Sequence, residues 1–169
     1  MKMLIAYISK TGTTEEIARK IGEILKERAR AGDVRDPDGA HIDVLPIADV
    51  QSALLKDYDR IILGSPVNGM KVLPEFKAFV EEKIAGSGKR VDLFIVSYMF
   101  GRGRKMWRNA ISKEAERIRA LAGASSVVIF GGRIAKALPG FARLIFGLPA
   151  DLPLDQRDWA KIESWANGL

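Results

Sequence analysis

A chain of 169 residues, 47% hydrophobic and 28% charged, has the size and balance of one globular domain. With no cysteine it excludes disulfides, zinc-thiolate centres and thiol catalysis, and nothing in it argues for an oxidising compartment, so a cytoplasmic protein is expected. Its formal charge of +6 favours anionic partners, without choosing among nucleic acid, lipid headgroups and carboxylated small molecules.

The first predicted strand, 3 to 8, turns polar at Ser9, too soon for a signal peptide or a membrane span. Arg143 and Asp151 interrupt the most apolar later stretch before it reaches 18 residues. The expectation is a domain that does not cross a membrane. After the strand comes Ser9-Lys10-Thr11-Gly12-Thr13-Thr14, which leads directly into a helix from about Thr14 to Arg30. At such a junction the unpaired backbone N–H groups and the positive end of the helix dipole favour a phosphate. Four hydroxyls, on Ser9, Thr11, Thr13 and Thr14, exceed the one that a helix cap needs, and Gly12 lets the backbone close around an anion. The spacing is neither GxxxxGK[ST] nor GxGxxG, which disfavours nucleoside triphosphates and dinucleotides and leaves a phosphate monoester. Thr13-x-x-Glu16 reads as a capping box, and Ile17, Ile21, Ile24 and Leu25 form the stripe that covers a sheet.

His41, the single histidine, precedes a second strand at 42 to 46 and is expected on the surface. A third strand, 60 to 65, runs into the turn-rich segment Gly64 to Lys71. Pro74 then opens a helix with Phe76, Phe79, Val80 and Ile84 on one face, stopped by Gly86 and Gly88. A fourth strand at 91 to 97 leads through Tyr98-Met99-Phe100-Gly101-Arg102-Gly103-Arg104 into a helix over 105 to 121, and a fifth strand follows at 125 to 130. Strands that are continuously apolar and alternate with helices predict a doubly wound parallel sheet buried on both faces, in a single domain spanning 1 to 169. Residues 131 to 154 exceed a simple connection. Ile134, Leu138, Phe141, Leu144, Ile145, Phe146 and Leu148 give this insert an apolar face, with Arg133, Lys136 and Arg143 as its charges. It reads as a short amphipathic helix packed on its own domain, as a lid, or as a patch (134 to 148) resting on a membrane surface. A last helix is predicted over about 156 to 167. No metal-ligand set stands out.

An aromatic residue followed by the hydroxyl, small-residue and alanine pattern of Tyr7, Ser9, Gly12, Thr14 and Ala18 resembles the flavodoxin signature. The resemblance implies a three-layer, five-stranded parallel sheet of order 2-1-3-4-5 and an FMN at the carboxyl ends of its strands, beside the switch point. Its phosphate falls to Ser9, Lys10, Thr11, Gly12, Thr13 and Thr14. Its ring falls to the loops after the third and fourth strands: Pro66, Val67, Asn68, Gly69 and Met70 in one, Ser97, Tyr98, Met99, Phe100, Gly101 and Gly103 in the other. Tyr98 or Phe100 is the candidate for stacking, and Gly101 and Gly103 free backbone groups for the polar edge. Both loops depart from typical flavodoxins: the first has no Trp, and the second has Arg102, Arg104, Lys105 and Arg108 where an electron carrier has acidic residues. Positive charge there favours a reduced, anionic flavin and raises its potential.

Over nearly the whole chain the sequence is similar to the menaquinone-dependent protoporphyrinogen IX dehydrogenases, through Tyr58-Asp59-Arg60, Phe76-x-x-Phe79-Val80, Phe141-x-x-x-Ile145 and Asp158-Trp159. The resemblance implies a flavoenzyme of heme biosynthesis that passes two electrons from a porphyrinogen to a quinone. Arg102, Arg104 and Arg133 are then anchors for propionates. No residue stands out for proton transfer, and no nucleic acid is expected as a partner. The alternatives are an electron-carrier flavodoxin and an NAD(P)H-dependent quinone or flavin reductase. A flavin-free receiver domain is disfavoured because Ser9-Lys10-Thr11 stands where its acidic cluster would be.

Overall fold

The computed structural model describes residues 1–32 and 40–169. Strand β1 (Lys2–Tyr7) enters α1 (Thr13–Arg30) through the hydroxyl-rich loop, and β2 (His41–Pro46) leads through a 3-10 turn to the single-turn α2 (Ser52–Leu55). Next come β3 (Arg60–Asn68), the two-residue β4 (Lys71–Val72) and α3 (Pro74–Phe79), which continues as a π-helical turn over Val80–Ile84. The remaining elements are β5 (Arg90–Ser97), α4 (Lys105–Ala122), β6 (Ser126–Gly131), α5 (Gly140–Phe146) and α6 (Trp159–Asn167). Among the described residues five strands run parallel in the order β2-β1-β3-β5-β6, with β4 antiparallel to β3. Apart from β4 this is the predicted order 2-1-3-4-5.

Successive strand residues point to opposite faces, so each central strand feeds two cores. Leu4, Ala6, Ile61, Leu63, Leu93 and Ile95 pack with Phe76, Val80, Ile84, Ala115 and Ile118 on the α3/α4 side. Met3, Ile5, Ile62, Phe94 and Val96 pack with Ile17, Ile21 and Leu25 of α1 and Ile162 and Ala166 of α6 on the other. Gly64 lies opposite Phe94 in the β3/β5 register, and a Cβ there would stand 2.1 Å from the Phe94 ring. The space it leaves lets Phe94 join Phe130 and Trp165, with centroids 5.7 to 6.3 Å apart, in the aromatic cluster under α6.

Three expectations are corrected. Helix α1 begins at Thr13 with Gly12 as its N-cap in the left-handed region, so Thr13 lies inside the helix and the capping box does not form. Strand β3 runs to Asn68 instead of ending at 65. Gly69 (φ 56) and Met70 (φ 65) form the tight turn that folds β4 back on it, and two successive positive φ values suit the right-handed twist of a hairpin. Helix α6 starts at Trp159, because Asp158 accepts the Lys161 backbone N–H at 3.0 Å and caps it there. Of the 131–154 insert only Gly140–Phe146 is helical, as α5, a short helix with none of its residues fully buried.

The insert is closed at its base. Gln156 N–H donates to the Gly132 carbonyl (2.9 Å) and Ile134 N–H to that of Leu154 (3.0 Å).

Candidate cofactor site

A cavity of about 360 Å³ opens at the carboxyl ends of the strands. Ser9, Lys10, Thr11, Thr13 and Thr14 form its end at the start of α1, where the helix presents its first N–H groups. Gly12 turns the chain there at φ +83, a conformation that a side chain would strain. Thr13 and Thr14 are buried, and the Ser9 Oγ and Thr13 Oγ1 atoms are buried with no hydrogen-bond partner. Buried hydroxyls left unpaired cost stability. Two of them facing one helix N-terminus fit a phosphate ester whose oxygens complete their bonding.

Pro66, Val67 and Asn68 of β3, with Leu73 after the hairpin, form one wall. Val96 and Tyr98 stand at the end of β5, and Gly132, Arg133, Ile134 and Ala135 close the site after β6. Of the remaining expected residues, Gly69 and Met70 sit at the hairpin tip, Ser97 is buried at the end of β5, and Met99, Phe100 and Gly101 belong to the turn beyond the wall. Gly103 spends its N–H on the Met99 carbonyl at 2.9 Å, and a Cβ there would come within 2.7 Å of the same oxygen. Its part is to close that turn, not to donate to a ring.

Tyr98 is oriented by its hydroxyl, which donates to the Pro153 carbonyl at 3.0 Å. Burial raises its pKa above the ordinary phenol value, against the opposing charge of Arg143, so it stays neutral.

The three candidate anchors differ. Arg133 is on the cavity wall and donates to Glu16 at 2.6 Å; Arg102 is exposed on the β5–α4 loop; Arg104 is committed to α5, donating from Nη2 to the Leu144 carbonyl at 2.8 Å. Glu16 also accepts from Arg157, which in turn holds Asp155 at 2.6 Å. The Arg157 hydrogen bond, followed by the charges of Arg157 and Arg133, keeps the Glu16 carboxyl below the usual range. The first turn of α1 is thereby tied to both stems of the insert.

Of the wall after β6 the sequence singled out Arg133 as an anchor, while Gly132, Ile134 and Ala135 were not among the expected cofactor-binding residues, although the Gly131-Gly132 pair carries a signal for them. A Cβ on Gly131 would meet the Gln156 carbonyl at 1.9 Å and one on Gly132 the Tyr98 nitrogen at 3.0 Å, so both mark close backbone approach. His41 lies at the amino end of β2, exposed and 3.1 Å from Asp43, away from the cavity.

Strand order, a cavity at the switch point and a phosphate-sized hydroxyl loop define the class: a doubly wound α/β domain with a mononucleotide site. The flavodoxin domain family model matches residues 4–146, and the chain belongs to the flavodoxin family. FMN is the cofactor of this family and of this chain, and the orphaned hydroxyls of Ser9 and Thr13 suit its phosphate.

No curated protein matches the chain. Among solved structures it is similar to Flavodoxin 1 from Bacillus cereus, at 18% identity over 99% of this chain and 95% of that one, with a TM-score of 0.59. A short-chain flavodoxin associated with a non-canonical PDU bacterial microcompartment is 14% identical over 100% and 96% of the two chains, with a TM-score of 0.61. An NADH:FMN oxidoreductase (EMOB) in its apo form is 12% identical over 99% and 87%, with a TM-score of 0.56. At these identities the likeness is one of fold, shared by electron carriers and flavin oxidoreductases alike.

Proposed function

We propose that the chain is an FMN-dependent oxidoreductase of the menaquinone-dependent protoporphyrinogen IX dehydrogenase kind, taking electrons from a propionate-bearing tetrapyrrole two at a time and delivering each pair to a quinone, in successive rounds until the porphyrin is formed. The observation that supports this most is the chemistry of the cavity rim: Lys10 and Arg133 on the wall beside apolar Ile134, Ala135 and Val67, and Arg102 exposed on the neighbouring loop. A flat, apolar macrocycle with carboxylates at its margin needs that combination.

Bound FMN supplies the two-electron chemistry. The chain's part is to hold and exclude. Ser9, Thr13 and Thr14 grip the phosphate; Arg133 and Arg102 pair with propionates through charge-assisted hydrogen bonds. Ile134, Ala135 and Tyr98 cover the apolar part of the substrate and keep water from it. Arg104, occupied with α5, drops out as an anchor.

The test is anaerobic. Protein loaded with FMN, protoporphyrinogen and a soluble quinone is expected to generate porphyrin fluorescence at a rate that requires both protein and quinone. Arg102→Ala with Arg133→Ala is expected to raise KM more than it lowers kcat. A rate no different from that of free FMN, with the cofactor shown to be bound, sinks the proposal. NADH oxidation in the same preparation then separates a reductase from an electron carrier.

A further inference from the structure

We infer that α5 and the loop and helix beside it form a dock for an anionic lipid bilayer surface. On α5, Phe141 is 71% exposed, Leu144 72% and Ile145 51%. Their i, i+3, i+4 spacing puts all three on one helix face. Met106, in the first turn of α4, is 62% exposed. Apolar side chains left open to this extent in a cluster mark an interaction surface.

The exposure is not the result of loose packing, because α5 is fastened from its other side. The Arg104 backbone N–H donates to the Phe146 carbonyl at 2.8 Å, its guanidinium to that of Leu144 at 2.8 Å, and the Trp107 indole to that of Ile145 at 3.1 Å. These bonds satisfy the carbonyls that the end of a helix leaves open. Phe146 meets Trp107 edge to face at 5.5 Å, and Gly147 ends the helix in the left-handed region. The inner side of α5 is therefore pinned to α4, and the opposite face is presented to the outside.

Charge selects the occupant. The two segments that build this corner, 98 to 113 and 131 to 150, hold eight of the 27 basic side chains and none of the 21 acidic ones. The rest of the chain has slightly more carboxylates than cations, so the whole excess of +6 lies in these two segments. Arg102, Lys105, Arg108 and Lys136 are exposed there. Three apolar side chains protruding from a short helix, in segments that carry only basic charge, match an interface of acyl chains beneath anionic headgroups. Among the described residues no helix is long and apolar enough to cross a bilayer, so the contact is peripheral. Docking does not depend on the substrate assigned above. It sets the cavity, whose wall includes Ile134 and Ala135 of the same insert, near the lipid–water boundary, where a lipid-soluble redox partner is met.

The experiment is sedimentation of the full FMN-loaded chain with vesicles of phosphatidylcholine alone and of phosphatidylcholine mixed with phosphatidylglycerol, alongside sedimentation velocity without lipid. The expected result is a monomer that pellets with the anionic vesicles and is released as salt is raised. Combined Phe141→Ser, Leu144→Ser and Ile145→Ser substitutions should reduce pelleting several-fold, as should Lys105→Ser with Lys136→Ser. Both variants alter exposed side chains and should keep the far-ultraviolet dichroism and FMN affinity of the parent. No pelleting of the parent, or equal pelleting of parent and triple variant, overturns the dock. A parent dimer that the triple substitution dissociates also overturns it, by showing a second copy of the chain as the occupant.

Discussion

The two ends of the parallel sheet both bury polar groups, and they treat them in opposite ways. At the amino end, Arg60 donates to the Asp92 carboxylate from Nε at 2.9 Å and from Nη2 at 2.6 Å, while Ser126 donates to the other carboxylate oxygen at 2.7 Å. The remaining guanidinium nitrogen reaches the Leu169 carbonyl. This cluster is closed within the chain. At the carboxyl end, Ser9 Oγ and Thr13 Oγ1 are buried without partners, and the wall beside them is hinged on glycines and a hairpin. A polar group satisfied inside the fold contributes to stability, whereas one left open inside the fold costs stability until a ligand completes it.

The contrast predicts that substitutions at the two ends move stability and FMN affinity in different directions. The largest effect is expected from Asp92→Ala, which leaves Arg60 charged and buried with only the Leu169 oxygen as a partner, at a cost of about 3–5 kcal/mol in denaturant unfolding. FMN affinity measured where the variant is still folded should be unchanged, since the site lies at the far end of the strands. Ser9→Ala with Thr13→Val should do the reverse. Losing two unsatisfied hydroxyls leaves apo-protein stability equal or higher, while each lost bond to a phosphate oxygen weakens FMN by about 1.5–3 kcal/mol, read by fluorescence quenching on titration. If both variants lower stability and leave affinity alone, the carboxyl end is merely another part of the core and the phosphate assignment falls.

That division was partly legible before any coordinates. The doubly wound parallel sheet follows from continuous apolar strands alternating with helices, its strand order from the resemblance to the flavodoxin signature, and the phosphate loop from four hydroxyls at a strand-to-helix junction, all of them local signals. What sequence did not reveal depends on contacts between distant segments. Leu73 reaches the cavity because β4 folds back on β3, a turn that Met70 enters with a positive φ that no pattern of residue types demands. Gly132, Ile134 and Ala135 reach it because the insert closes on itself at Gln156 and Leu154, far along the chain. Glu16 fits a capping-box pattern and instead meets Arg133 and Arg157, residues more than a hundred positions away. Arg104 has the composition of a substrate anchor and is a helix cap, which only the position of α5 reveals.

Glu114 extends the comparison to a wall of the site. Its side chain is 2% exposed; it accepts the Val72 backbone N–H at 3.2 Å, Lys71 at 3.2 Å and Arg117 at 3.1 Å, so it pins the β3–β4 hairpin to α4. Burial pushes its pKa up, but the Arg117, Val72 and Lys71 hydrogen bonds outweigh this and the carboxyl stays below the ordinary range. Its cationic partners are exposed and return to water when it is removed, so Glu114→Ala should cost about 1–2 kcal/mol, less than Asp92→Ala. It should also weaken FMN several-fold, because the released hairpin carries Asn68 and Leu73. A carboxylate whose folded pKa is depressed contributes stability above its unfolded pKa and loses it as pH falls through the folded value. The parent should therefore lose this contribution on acidification below the ordinary carboxylate range, and Glu114→Ala should show a shallower acid dependence.

The smallest effect on stability is expected at Glu16, which is half exposed, so that solvent screens its pairs with Arg133 and Arg157. Glu16→Gln should change unfolding by less than about 1 kcal/mol. Its consequence is local. The carboxylate joins α1 to both stems of the insert, and without it the segment from Arg133 to Arg157 is held mainly by its own backbone bridge and by the contacts of α5. Brief trypsin digestion should then cut faster at exposed Lys136 than in the parent, while the rest of the domain stays intact. Acidification of the parent should reproduce the change, because the depressed pKa of Glu16 preserves the link above the ordinary carboxylate range and releases it as pH falls through the folded value. Trypsin is inactive in acid, so hydrogen exchange at the insert backbone is the measurement there. Equal exchange in parent and Glu16→Gln at neutral pH would mean that the stems are held by the backbone bridge and α5 alone, and that the phosphate loop and the insert move independently.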